Sequence, residues 1–331
     1  MFQVGITRNC VALADEPGLF REDYFAELGR TTNLAFDFFD MSVGFLTPAH
    51  TDRYDAIIAL QPGVTAASFG PNRRSRMLVT TGSGVDTIDI DACTDAGVLL
   101  CNTPDGASQS MATGTLSFIL ALSYKLIAKD RLTRSGDWRQ RMSMIGDGLP
   151  GKVVGSLGFG HIARALFPLL PPLGLTAIAQ ARNPDPVVAA AFGVELVDFD
   201  QLLGRSDFLC LNCPLTAETS GIIDARALRK MKPGASLINV SRGPLVDEAA
   251  LFEALSQGRL AGAALDVFAV EPTPADNPLL GLDTVIATPH CLGFTEQSFR
   301  KIAADTVRAV VTLQQGGRPA HVLNPTAWAR L

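Results

Sequence analysis

The sequence predicts an α/β protein built from two doubly wound parallel-sheet domains. Three observations carry this. Short apolar runs alternate with helix-like stretches over residues 1–102. The chain breaks at Asn102-Thr103-Pro104-Asp105-Gly106, and the alternation restarts at Gly151. A glycine turn, Gly158-Phe159-Gly160-His161-Ile162-Ala163, then joins a β run to an apolar helical stripe. Strand and helix in strict alternation imply parallel strands joined by crossover helices.

Taken in order, residues 2–6, 56–60, 77–80 and 98–101 read as strands and residues 18–29 as a helix. Residues 108–128 predict one long buried helix, with Leu116, Ile119, Leu120 and Leu126 among its apolar positions. A second set of strands follows at 153–157, 176–179, 208–212, 236–239, 262–266 and 284–287. The helix after the glycine turn carries Ile162, Leu166 and Leu169. Pro168, Pro171 and Pro172 make it short or kinked, because proline removes a helical hydrogen bond and clashes with the preceding turn. Residues 296–315 predict a final helix that returns the chain, so one domain is discontinuous, 1–102 plus 296–331, and 103–295 forms the other.

Composition excludes several classes. With 47% apolar and 18% charged residues over 331 positions, the chain can bury sizeable cores. A net charge of -5 gives no basic field for nucleic acid, so an anionic ligand must be held by a local cluster. Arg73, Arg74 and Arg76 are the nearest thing to a basic patch, read either as a solvated loop or as a phosphate site. No apolar run reaches the ~18 residues of a membrane span. The start Met1-Phe2-Gln3-Val4-Gly5-Ile6 reads as a strand rather than a charged leader, which predicts a cytoplasmic protein. No regulatory domain is expected after residue 331. The pair Cys210-Leu211-Asn212-Cys213 sits in a strand ending at Pro214, whereas redox pairs open helices, so it reads as structural. Four histidines without metal-ligand spacing predict no metal site.

A glycine-rich turn alone is a weak signal. Here it follows Val153-Val154-Gly155-Ser156-Leu157 and opens a helix, the context in which it cradles a dinucleotide. Gly158 permits the tight turn, Gly160 lets the backbone approach a pyrophosphate, and Ala163 takes the third small position. The neighbouring Phe159, His161 and Ile162 complete the turn. An NAD site places a carboxylate about 20 residues further on, near the ribose. That position reads Gln180-Ala181-Arg182-Asn183, with no acid and with a guanidinium. Ala181 and Arg182 therefore predict NADP(H) in preference to NAD(H), since Arg suits an added phosphate; Arg182 as a solvated loop residue or stacked on adenine is the alternative.

Further runs are Thr81-Gly82-Ser83-Gly84-Val85-Asp86-Thr87-Ile88-Asp89, Cys213-Pro214-Leu215-Thr216-Ala217-Glu218-Thr219, Met231-Lys232-Pro233-Gly234-Ala235, Asn239-Val240-Ser241-Arg242-Gly243, Asp266-Val267-Phe268-Ala269-Val270-Glu271-Pro272 and Thr288-Pro289-His290. As a set they resemble the D-isomer-specific 2-hydroxyacid dehydrogenase family over most of residues 75–300. The resemblance implies a Rossmann cofactor domain inserted in a flavodoxin-like substrate domain. It also implies an oxidoreductase moving a hydride between NAD(P)H and a small 2-keto acid, of the glyoxylate/hydroxypyruvate reductase type. Arg242 would clamp the substrate carboxylate and carbonyl through its rigid fork of donors. His290 would give and take the proton, since imidazole titrates near neutrality, and Glu271 would favour its charged form. Backbone amides at Ser83, Gly84 and Val85 would complete the carboxylate pocket in a cleft between the domains. Cys213, Pro214 and Thr219 would line the cofactor and Asp266 would hold the nicotinamide amide, with a capping role as the plain alternative for Asp266. The long helix from Ser108 would form much of a homodimer interface.

One position departs from the family pattern. Ser110-Met111-Ala112-Thr113-Gly114 has Thr113 where the family commonly shows an acid, which bears on pocket polarity rather than on the acid/base pair. Other activities compatible with these residues are a D-3-phosphoglycerate dehydrogenase lacking a regulatory domain and, in another class, a dinucleotide-sensing corepressor.

Overall fold

The computed structural model describes residues 1–10, 20–41 and 44–331. Two units divide the chain: Met1–Ala107 together with Phe294–Leu331, and Ser108–Gly293.

In the first unit, β1 (Phe2–Thr7), β2 (Leu34–Phe39), β3 (Ala56–Ala59), β4 (Met77–Thr80) and β5 (Leu99–Cys101) form a parallel sheet in the order β2-β1-β3-β4-β5. This is the flavodoxin-like order, reversing direction between β1 and β3. Both faces are covered. Ala56 and Ile58 pack into one core cluster while Ile57 and Ala59 pack into the other, which is why these strands read as continuous apolar runs. The helix Glu296–Gln314 begins with a capping box from Thr295 and Ser298 and lays Ile302, Val307, Val310 and Leu313 onto the first cluster. Of the helix expected over 18–29, Gly18 and Leu19 lie outside the described residues. Beyond them stand a 3-10 turn, Glu22–Phe25, and a short helix, Ala26–Arg30. The arginine cluster is tied to the protein: Arg74 pairs with Asp55 at 2.7 Å, and Arg73 donates to the Ser75 carbonyl.

In the second unit, β6 (Val153–Leu157), β7 (Thr176–Gln180), β8 (Glu195–Leu196), β9 (Phe208–Leu211), β10 (Ser236–Asn239), β11 (Gly262–Leu265) and β12 (Val285–Ala287) form a parallel sheet in the order β12-β11-β10-β9-β6-β7-β8. That is the Rossmann order with one further edge strand, and its direction reverses between β6 and β9. Along β9, Phe208 and Cys210 enter one core cluster and Leu209 and Leu211 the other. Cys210 is thus a strand residue buried in the core, and burial pushes its thiol up to about 12.

The helix expected over 108–128 is two helices. Ser108–Ser123 and Leu126–Ser135 meet at a 57° bend, where Lys125 takes a left-handed φ of 49°. Leu126, expected in the core, is 57% exposed. A competing partner ends the first helix: Asp147 N–H donates to the Ser123 carbonyl at 3.0 Å, and Ser123 Oγ donates to the Gly148 carbonyl at 2.7 Å. Gly146 lies so close that an added Cβ would stand 2.3 Å from the Ser123 carbonyl oxygen. After the glycine turn the helix covers only His161–Leu166 and continues as the 3-10 turns Phe167–Leu169 and Pro171–Leu173, as proline at those positions requires. Among the described residues no single helix is long and apolar enough to cross a membrane.

Candidate active site

The second-unit residues singled out above for the dinucleotide and the chemistry lie in segments that follow the carboxyl ends of the parallel strands, His161 and Ile162 in the first turn of the helix after β6, at the edge where open α/β sheets bind ligands. Gly158 follows β6, Ala181 and Arg182 follow β7, Cys213 follows β9, Arg242 follows β10, Asp266 and Glu271 follow β11, and His290 follows β12. Ser83, Gly84 and Val85 belong to the first unit, in the loop after β4. There Gly82 has φ 128°, Gly82 N–H donates to Thr103 Oγ1 at 2.8 Å, and Asn102 Nδ2 donates to the Ser83 carbonyl at 3.0 Å.

Gly158 is required twice over. Its φ is 103°, and an added Cβ would stand 2.7 Å from the Asn212 carbonyl group. Its N–H donates to the Gln180 carbonyl at 2.8 Å, so the turn after β6 is braced by the ends of β7 and β9. At Gly160, by contrast, nothing lies within 4 Å of where a Cβ would stand. A tight turn beside an open glycine is a cradle that a pyrophosphate backbone can enter, and the residues present fit such a ligand. Phe159 turns its ring inward, centroid 5.8 Å from that of Phe167, which leaves its backbone for the site. His161 is exposed and Ile162 half-buried.

Cys213 is buried and its thiol is pushed up to about 11 by that burial, so only its backbone is presented. Pro214 is exposed, and its carbonyl accepts from Thr219 Oγ1 at 2.8 Å. Arg182 is exposed beside the half-buried Ala181. The Glu218 carboxyl lies below its ordinary range, chiefly because the Thr216 hydroxyl donates to it, with a smaller contribution from the Arg182 charge.

His290 and Glu271, distant in sequence, are brought into contact. His290 Nδ1 lies 2.7 Å from Glu271 Oε2, while the other Glu271 oxygen accepts from Phe268 N–H at 2.9 Å. His290 takes a left-handed φ of 52°, uncommon for a residue with a Cβ and of the kind that clusters at functional sites. Asp266 holds this turn. Its Oδ1 accepts from Thr288 Oγ1 at 2.6 Å, Cys291 N–H at 2.9 Å and Leu292 N–H at 3.0 Å. Burial raises the Asp266 carboxyl above its ordinary value against the pull of these donors. Asp266 thus braces the loop after β12 and caps no helix there, the N-cap of the next helix being Thr295.

Arg242 sits half-buried at the head of the 3-10 turn Gly243–Leu245, with Nη1 2.7 Å from the Ser241 carbonyl. Two residues that sequence reasoning did not single out fasten its loop. Ser241 Oγ donates to the Cys213 carbonyl at 2.6 Å, and Gly243 packs directly on the backbone of Phe268 and Ala269. Their signal was in the run Asn239-Val240-Ser241-Arg242-Gly243, but the partners lie in other loops. Among the described residues no group of three or more His, Cys, Asp and Glu is placed to hold a metal ion.

The second unit is thus a Rossmann sheet with a glycine cradle and a carboxylate-bound histidine along its carboxyl edge. Residues 116–291 match the family profile described as the NAD binding domain of D-isomer specific 2-hydroxyacid dehydrogenases. A glyoxylate reductase of Thermococcus onnurineus is 34% identical over 277 residues, covering 82% of this chain and 83% of that protein. A D-3-phosphoglycerate dehydrogenase of Archaeoglobus fulgidus is 36% identical over 265 residues, covering 80% of this chain but 50% of that protein. The chain thus spans about half the length of the curated phosphoglycerate dehydrogenases it matches. Among solved structures, a Pyrococcus horikoshii protein superposes with a TM-score of 0.85 at 26% identity, over 100% of this chain and 97% of that one. The chain belongs to the D-isomer specific 2-hydroxyacid dehydrogenase family.

Proposed function

We propose that the protein is a 2-keto acid reductase of the glyoxylate/hydroxypyruvate type, using NADP(H) in preference to NAD(H). The observation that carries this is the 2.7 Å contact between His290 Nδ1 and Glu271 Oε2, at the same carboxyl edge of the sheet as the turn at Gly158 and Gly160. A nicotinamide dinucleotide bound there supplies the hydride. With Nδ1 held by Glu271, Nε2 of His290 is the nitrogen left to deliver a proton to the carbonyl oxygen, and in the reverse direction to remove it from the hydroxyl. Arg242 fixes the substrate by its carboxylate and carbonyl oxygen, which presents one face of the carbonyl to the hydride and gives one hand of product. In the first unit, the backbone N–H groups of Ser83, Gly84 and Val85 are proposed to bind a carboxylate.

In this reading Phe159, His161, Ile162, Cys213, Pro214 and Thr219 hold the dinucleotide with the two glycines, Asp266 acts at the nicotinamide end, and Ala181 and Arg182 receive the 2'-phosphate. The relatives named D-3-phosphoglycerate dehydrogenase motivate a second reading, in which the substrate is phosphorylated. Steady-state assays with glyoxylate, hydroxypyruvate and phosphohydroxypyruvate, each with NADPH and NADH, separate the two. A kcat/KM for phosphohydroxypyruvate above those for the other two acids overturns the first reading. Dinucleotide binding without turnover of any keto acid favours a sensing role instead.

We also propose a homodimer. Tyr124, Leu126, Ile127, Trp138, Met142 and Ile145 are exposed apolar side chains on one stretch of chain, the kind of surface that associates. Light scattering on the purified protein tests it, and a monomer at micromolar concentration rejects it.

A further inference from the structure

Glu271 is carried on an exposed loop, and such loops move unless something outside them holds them. The loop after β11 has Val270 62% exposed, and the Glu271 side chain itself is 37% exposed. Its internal bond, from Phe268 N–H to Glu271 Oε1, travels with it. The external anchor is a carboxylate on another element. Glu248 Oε1 accepts from Ala269 N–H at 2.6 Å, and Glu248 Oε2 accepts from Asn277 Nδ2 at 2.9 Å. One side chain therefore grips the loop on both sides of Glu271.

The anchor stands on a capped helix. Glu248 is the first residue of the helix Glu248–Ser256, whose N-cap Asp247 accepts from Ala250 N–H at 3.0 Å. The same element begins a few residues after Arg242, and Gly243 packs against Phe268 and Ala269. We propose that Glu248 is a positioning residue for catalysis: by holding Ala269 and Asn277 it keeps Glu271 on His290 and in register with Arg242. This rests on the assignment of Glu271 and His290 as the acid/base pair.

The hydrogen-bond chemistry singles out a carboxylate. Asn277 Oδ1 accepts from Leu279 N–H at 3.0 Å and its Nδ2 donates to Thr273 Oγ1 at 3.0 Å, which fixes the amide with its donor toward Glu248. A glutamine at 248 can accept from Ala269 N–H with its one oxygen, but its NH2 then meets the NH2 of Asn277, donor against donor. Flipping Asn277 to relieve this breaks its bond to Leu279. E248Q thus keeps size and shape while releasing the far side of the loop, and E248D keeps the charge on a shorter arm.

The experiment measures E248Q, E248D and E271Q in parallel by steady-state kinetics, thermal melting and proton NMR of the low-field imidazole N–H that the His290–Glu271 bond produces. The expected result for E248Q is a kcat lower by on the order of tenfold, a KM for the dinucleotide within about twofold, and a broadened or shifted imidazole N–H signal at a temperature where the variant is fully folded. E248D is expected to recover part of the loss. If E248Q only lowers the melting temperature, with kcat and the signal intact, Glu248 is merely structural and the proposal fails. If E271Q itself leaves kcat and the signal unchanged, the underlying site assignment has failed instead.

Discussion

Gly243 and Phe268 are in backbone contact: a Cβ added to Gly243 would stand 1.8 Å from the Phe268 carbonyl carbon and 2.4 Å from Ala269 N. The loops bearing Arg242 and Glu271 therefore touch main chain to main chain, with no side chain to yield. Gly243→Ala must push them apart, and overpacking of this kind costs about 1–3 kcal/mol. The variant is expected to unfold at lower urea and, where folded, to lose kcat/KM for the keto acid more than affinity for the dinucleotide. Wild-type stability in a urea titration would show that the loops separate freely.

His290→Gln removes the proposed proton donor while leaving the turn at Gly158 and Gly160 unchanged in sequence. Loss of a general acid costs roughly 10²–10⁴-fold in rate. Turnover should fall by that order while dinucleotide binding, followed by nicotinamide fluorescence, stays within about twofold. Substantial turnover in the variant would remove His290 from the chemistry.

Cofactor preference tests Arg182. A charge-assisted hydrogen bond contributes about 1.5–3 kcal/mol, so Arg182→Ala should raise the KM for NADPH roughly tenfold to a hundredfold. The KM for NADH is expected to change little. An unaltered NADPH/NADH ratio would leave the 2'-phosphate without its proposed ligand.

Asp207 predicts an acid-sensitive fold. Burial opposes its charge, but Lys232 at 2.7 Å, the Val153 N–H at 2.8 Å and Lys152 outweigh that and hold the carboxyl below its ordinary 3.8. A depressed folded value means the stabilisation is fully present above pH 3.8 and is lost as the pH falls through the lower folded value. Asp207→Asn should cost roughly 1–3 kcal/mol at pH 7, less where the half-exposed Lys232 is screened by water. The gap between wild type and variant in denaturant melts should close below pH 4, near the ordinary carboxylate range. A pH-independent gap would contradict the pairing.

The strands at 153–157, 208–212 and 236–239 were legible because both of their faces are buried, which leaves unbroken apolar runs bounded by glycine or proline. β2 was passed over because Asp37 interrupts its run Leu34-Ala35-Phe36-Asp37-Phe38-Phe39, and β8 is two residues long. The bend at Lys125 left no proline or glycine at the break itself; it arises from Asp147 capturing the Ser123 carbonyl, a partner distant in sequence. Arg242, Glu271 and His290 could be named from their motifs. The fasteners Gly243, Glu248 and Asn277 could not, since each acquires its meaning only from a loop that folding brings alongside.

The residues proposed to act in the second unit follow one rim of its sheet, while its two apolar layers cover the faces. Changes of loop length or composition along that rim can retune what the protein accepts without disturbing the buried strands. Relatives named glyoxylate reductase and D-3-phosphoglycerate dehydrogenase both match this chain, and a rim built of loops is where differences of that kind can be accommodated.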